Sequence, residues 1–276
     1  MPILTNYEVT YLAQEIIKLS RLERWREADR HMASYTPKWK KGLETRFNDQ
    51  EKEVNANIDY FLLPFYPDNL KGVHWTVIHK AVDDLLFDSA KWNLIFEEFG
   101  QLMLPGIIGD AGQRGLNSVI VGISFNVSNP RVQEFIDKKK FKFAQEVNQT
   151  TLDRLRQELR QGTIDGESIP ELRGRVKQVF DEARTWRADM IARTETGGAY
   201  NYGSFEGYRQ SGVVIRKGWL SSHDSKVRDS HRALDGQEVP LEARFSNNLK
   251  YPGDPDGPPE EIISCRCSIY PVVEEE

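Results

Sequence analysis

Residues 213–241 read VVIRKGWLSSHDSKVRDSHRALDGQEVPL, and the character of the chain changes at the glycine just before them. VVIRKGWL is rich in β-branched and apolar residues and predicts a strand. Asp224 can cap a short helix over 224–232, Asp235-Gly236 marks a turn, and QEVPL is short and extended. Further on, YPGDPDGPP (251–259) is a loop that proline keeps out of helix, and EEIISCRCSIYPVV (260–273) predicts a last strand. Residues 213–276 therefore read as a compact α+β module.

Working outward toward the amino end, the signals are helical. Asn129 and Pro130 form an N-cap and first helical position for VQEFIDKKKFKFAQEV, and Thr150 or Thr151 can cap a following helix, TLDRLRQELRQG, that stops at Gly162. Ser168 caps the next helix, with Pro170 and Glu171 in its first turn and an apolar stripe of Leu172, Val176, Val179 and Phe180. The pattern runs on to Gly212, with an expected interruption at Gly197-Gly198. Residues 128–212 thus read as a helical arm.

Residues 1–127 read as a mainly helical region suited to docking. One helix is predicted from the apolar set Tyr7, Leu12, Ile16, Ile17 and Leu19, a second from Pro37 through Ile58, and a third ending near Pro105. The glycines of GDAGQRGLNSVIVG (109–122) do not follow the order that cradles a phosphate. The fold class expected is α+β: long helical amino-terminal and middle regions leading into the small carboxy-terminal module, with a boundary near residue 127.

Composition narrows the function classes. The 276 residues are 39% hydrophobic and 29% charged, a globular balance, and the net charge of −5 gives no overall attraction to nucleic acid. No stretch approaches the roughly 18 apolar residues of a membrane span, and the first residues lack a secretory signature, so synthesis in the cytoplasm is expected. Two cysteines form no disulfide framework, and a C-x-C pair would close a strained ring.

Those cysteines, Cys265 and Cys267, are the first candidate site. On a strand they would share one face. On a helix over 224–232, Asp224, Arg228 and His231 would share another. His231, Cys265 and Cys267 are then three ligands of the kind zinc prefers, and Asp224 or His223 can supply a fourth. The alternative is two small buried thiols beside a core histidine. A second candidate is IARTET (191–196), whose Arg193 and Glu195 do not share a helix face and would each pair with a group such as Asp224 or Arg228, docking the helix on the module. A third is IDKKKFKFAQ (136–145), where lysines are interleaved with Phe141 and Phe143 as in a surface that contacts nucleic-acid phosphates, or as in a solvated amphipathic helix.

Taken in order, IARTETGGAYNYGSFEGYRQSGV, then KGWLSSHDSKVRDSHRALDGQEVPL with Phe245, then YPGDPDGPPEEIISCRC, resemble the phage head-morphogenesis family, the minor head or minor capsid proteins of Mu F-like type. The resemblance covers roughly residues 128–276. It carries a signature onto Arg193, Glu195, Trp219, Asp224, Arg228, His231, Gly236, Cys265, Arg266 and Cys267. It implies a virion or procapsid component in few copies, associated with the portal vertex, that assists head assembly and in some systems DNA packaging or delivery, possible contact with packaged DNA included; the expected partners are then the portal protein and the major capsid or scaffolding protein. Against this stands an enzyme reading, a nuclease with His231 as acid or base, Arg228 on a phosphate and Glu195 or Asp224 orienting protons.

Overall fold

The structure, a computed structural model, describes residues 6–66, 68–120 and 122–273; the side chains of residues 6–19 and 75 lie outside that description. The apolar set from Tyr7 to Leu19 therefore lies outside the described side chains. The order of elements is α1 (Asn6–Phe61), α2 (Trp75–Ala81), a π-turn (Val82–Leu86), α3 (Ser89–Asn117), α4 (Pro130–Asp165), α5 (Ile169–Glu182), a π-turn (Ala183–Arg187), α6 (Ala188–Ser211), β1 (Val214–Leu220), α7 (Asp229–Ala233), β2 (Glu238–Pro240), α8 (Pro259–Ile262) and β3 (Ser268–Val273). The fold is α+β and predominantly helical. No helix among the described residues is long and apolar enough to cross a membrane.

Several boundaries follow local chemistry. The Asn129 side chain accepts from Arg131 N–H with Pro130 opening α4, Ser168 and Glu171 complete a capping box on α5, and Gly212 stops α6 in the left-handed region at φ 70°. Other expected breaks are absent. The predicted helix junction at Thr150–Thr151 is continuous α4, because both hydroxyls bond back to carbonyls one turn earlier, Glu146 and Val147. That helix runs past Gly162 and ends at Gly166, φ 69°. Pro37 and Pro105 lie inside α1 and α3. A proline removes one helical hydrogen bond and crowds the preceding turn, yet Trp39, Leu43 and Phe47 after Pro37, and Ile107, Ile108 and Ala111 after Pro105, are buried on the next turns. Core packing carries each helix through.

The chain divides into two compact units, residues 1–37, 106–127 and 193–276 in the first and residues 38–105 and 128–192 in the second. In the second, Trp39, Leu43, Phe47, Val54 and Ile58 recur at helical spacing on α1 and are fully buried. Trp39 meets Phe99 of α3 and Phe143 of α4 edge-on, with ring centroids 4.9 and 5.2 Å apart. Gly42 leaves the space into which the Phe99 ring fits.

In the first unit, α6 lies on α3 at glycines. A Cβ on Gly203 would stand 2.6 Å from Ile108 O, and one on Gly207 would stand 2.3 Å from Gly112 O. The same unit holds an antiparallel sheet in the order β2-β1-β3, with Gly218 opposite Tyr270 and Trp219 opposite Ile269. Lys217 of β1 is fully buried; its ammonium donates to the carbonyls of Leu241, Pro240 (3.4 Å) and Ala243 (2.6 Å) and lies between the rings of Phe205 and Phe245.

Candidate metal centre

The site is built where the chain leaves β1 and returns. Trp219 N–H donates to Gln237 O and Gly236 N–H to Trp219 O, both at 2.9 Å, so residues 221–235 form an excursion pinned at its base. Gly236, at φ 78°, makes the turn that sequence chemistry predicts. Within the excursion the expected helix over 224–232 shortens to α7, Asp229–Ala233. Asp224 instead closes a turn by accepting from Lys226 N–H at 2.9 Å, the alternative that a short acidic side chain offers its own backbone. Arg228, not Asp224, is the residue before α7, and its guanidinium donates to Ile263 O.

The last segment also differs from the single strand expected. Residues 259–262 form α8, Ser264 adopts φ 55°, Cys265 to Cys267 follow without regular structure, and β3 begins only at Ser268. The two cysteines nevertheless converge. Cys265 Sγ lies 3.4 Å and Cys267 Sγ 3.5 Å from His231 Nδ1, and all three ligand atoms fall within 4.8 Å of one another. His231 is 1% exposed, Cys265 5% and Cys267 1%. The other imidazole nitrogen, Nε2, meets Glu261 Oε2 at 2.8 Å, and Asn247 and Ser230 also donate to that carboxylate at 3.1 Å.

The other predicted fourth ligands stand apart. Among the described residues, the group of His, Cys, Asp and Glu side chains close enough to share an ion here is His231, Cys265 and Cys267. Asp224 is outside it because its carboxylate pairs with Arg266. His223 is outside it too: its ring packs edge-on against Trp25, and Nε2 faces Asp235 at 3.5 Å. Arg193 is exposed and Glu195 buried, and the partners expected for them, Asp224 and Arg228, are committed to Arg266 and to Ile263 O.

Helix α6 is shaped to hold the cysteine loop. Thr194 Oγ1 accepts from Ser264 N–H and Asn201 Nδ2 donates to Cys267 O, both at 2.9 Å; from α1, Trp25 Nε1 donates to Arg266 O at 2.9 Å. A Cβ on Gly197 would stand 3.0 Å from Cys265 O, and one on Gly198 would stand 2.8 Å from Gly253 O. The Gly-Gly pair therefore does not interrupt α6, as expected from sequence, but lets backbone approach backbone.

Titration behaviour follows from these contacts. The Cys265 thiol is pulled down by the bond it accepts from Cys267, aided against burial by His231 and by Cys267 N–H. Cys267, which donates to it and is buried, is pushed up. Burial lowers His231, but Cys265 and Glu261 outweigh it and hold the imidazole above its usual value. Burial raises Asp224, and the Lys226 N–H and Arg266 outweigh it and hold the carboxyl low. Trp219, fully buried and edge-on to His231 at 5.1 Å between centroids, also acts on the Cys267 thiol, and its Nε1–H has no oxygen acceptor.

Glu261, Thr194, Asn201 and Trp25 were not legible as site residues. Glu261 falls in the segment that the sequence reads as the last strand, where nothing marks it as a partner of His231, and the other three lie some 66 to 241 positions from their partners.

The third sequence candidate, IDKKKFKFAQ, is tied down within the second unit. Lys138 pairs with Glu134, Lys140 with Asp137 and Lys142 with Glu146, while Phe143 is core and only Phe141 is half exposed. Lys138, Lys140 and Lys142 are thus paired with carboxylates of their own helix, and Lys139 is buried.

Fold and site together define a small, internally tied α+β module with a buried Cys2His corner. Residues 153–270 match the model of the Phage Mu protein F like family. Two curated proteins are similar. One is the uncharacterized protein YqbB of Bacillus subtilis (strain 168), 25% identical over 255 residues, 88% of this chain and 80% of that protein. The other is the NAD(+)--arginine ADP-ribosyltransferase EFV of Enterococcus faecalis (strain ATCC 700802 / V583), 28% identical over 153 residues, 54% of this chain. The chain spans only 30% of that transferase's length. No solved structure matches.

Proposed function

We propose that this chain is a minor head protein of the virion, bound to the portal protein at the portal vertex and assisting head assembly and DNA packaging or delivery. The observation that carries the reading is the Mu F-like match over residues 153–270. The state of the polar groups in the terminal module supports it. Groups that a nuclease would turn toward substrate are spent on the fold: His231 lies between Glu261 and two thiols, Asp224 holds Arg266, and Arg228 holds Ile263 O. A cavity of about 420 Å³ bordered by Arg24, Arg114, Tyr200 and Tyr208 has none of His231, Cys265, Cys267 or Asp224 in its lining. The ADP-ribosyltransferase name carries little weight, because the match covers under a third of that protein. A closed, internally bonded module suits a part that must survive assembly and DNA filling.

Co-expression with the portal protein of the same phage tests this. A complex that survives affinity capture and gel filtration is expected. Failure to bind portal, capsid or scaffolding protein, together with cleavage of labelled DNA or RNA by the purified chain, would overturn the reading in favour of the nuclease.

A further inference from the structure

We propose that His231 Nδ1, Cys265 Sγ and Cys267 Sγ bind one zinc ion that locks the cysteine loop to α7, with a water as fourth ligand. The inference rests on the geometry of the corner and is independent of the portal role.

Zinc lies about 2.3 Å from a thiolate and about 2.0–2.1 Å from an imidazole nitrogen, so nitrogen and sulfur on one tetrahedron stand about 3.5 Å apart. The two observed separations are 3.4 and 3.5 Å. A single Nδ1 has one proton or one lone pair, so it cannot make a full hydrogen bond to both thiols. An ion between the three atoms serves both at once.

The surroundings suit a metal equally well. Nε2 of His231 is bonded to the Glu261 carboxylate at 2.8 Å, the outer partner that fixes the tautomer and ring orientation of metal-bound histidines. That partner is itself held by Asn247 and Ser230. Trp219 Nε1–H, buried and without an oxygen acceptor, sits beside Cys267, where a thiolate would accept it. Two thiolates and a divalent ion sum to zero charge, which lowers the penalty for so buried a cluster. Soft sulfur ligands with one imidazole select zinc over magnesium or calcium.

What the ion would join is also clear. His231 hangs from the 221–235 excursion and the cysteines from the loop before β3, segments more than thirty residues apart. Binding displaces to solvent the protons held among Cys265 Sγ, Cys267 Sγ and His231 Nδ1, and forms two Zn–S bonds and one Zn–N bond with no change of oxidation state.

The test uses the full chain purified from zinc-supplemented cells without chelator. Elemental analysis should give one zinc per chain, and X-ray absorption should give two sulfur and two nitrogen or oxygen neighbours. Both thiols should resist a thiol reagent until zinc is stripped, a measurement that needs no variant. Cys265→Ser and Cys267→Ser should lose the metal, and Glu261→Gln should keep one site with affinity about 10–100-fold weaker. Metal-free protein that takes up no added zinc, or zinc retained at full affinity in both serine variants, would overturn the proposal. So would two thiols that react equally fast with and without zinc.

Discussion

Replacing Gly207 with alanine tests the packing that holds the first unit together. A Cβ at that position would stand 2.3 Å from Gly112 O, 3.1 Å from its carbonyl carbon and 3.2 Å from its Cα. These are backbone atoms of α3, so no side chain can swing aside, and the helices must separate by about 1 Å to restore ordinary contact. Overpacking of this kind costs about 1–3 kcal/mol, and the rigid neighbour argues for the upper end. Alanine returns about 1 kcal/mol through helix propensity. The net expectation is a loss of about 2 kcal/mol, a fall of about 4–8 °C in Tm for a chain of this size. Gly109→Ala is the internal control: it lies on the same helix α3 and has nothing within 4 Å of its Cβ position. It should gain about 0.5–1 kcal/mol. Urea denaturation followed by circular dichroism reads both. Equal stability for the two variants would refute glycine-level contact between α3 and α6.

Lys217→Met should destabilise by about 1–3 kcal/mol in the same assay, because three carbonyls lose their donor inside the fold. Ser168→Ala should cost about 1 kcal/mol by removing one half of the α5 capping box. The Asp224 carboxyl, held low in the folded protein, contributes stability that is full above its ordinary value of 3.8 and is lost as pH falls through the lower folded value. Denaturation midpoints measured from pH 5 downward should therefore fall more steeply for the wild type than for Asp224→Asn, and parallel curves would contradict the pairing with Arg266.

Local chemistry was legible in the sequence where one residue type decides the geometry. Asn129, Ser168 with Glu171, Gly212 and Gly236 all act within three or four positions of themselves, and each sits where its type predicts. Misreadings came where tertiary packing overrode a local preference. Pro37 and Pro105 weaken a helix only by local bonds, and the aromatic and aliphatic core on the next turns restores it. Gly197 and Gly198 looked like a break because their purpose, room for Cys265 O and Gly253 O, lies across the fold. The Cys265–Cys267 pair meets His231 by a geometry other than the one alternation predicts. Strand alternation predicts one shared face, whereas the pair lies in irregular chain turned by Ser264 and held by Thr194, Asn201 and Trp25. Glu261 was invisible because its partner His231 is thirty residues away and nothing local marks the contact.

The proposed role requires that the chain be built into the phage head. Quantitative mass spectrometry of purified heads, with and without the portal protein, measures this directly. A few copies per head that disappear from portal-less particles are expected. Heads that lack the chain altogether, or that hold the same number without a portal, would contradict the proposed role.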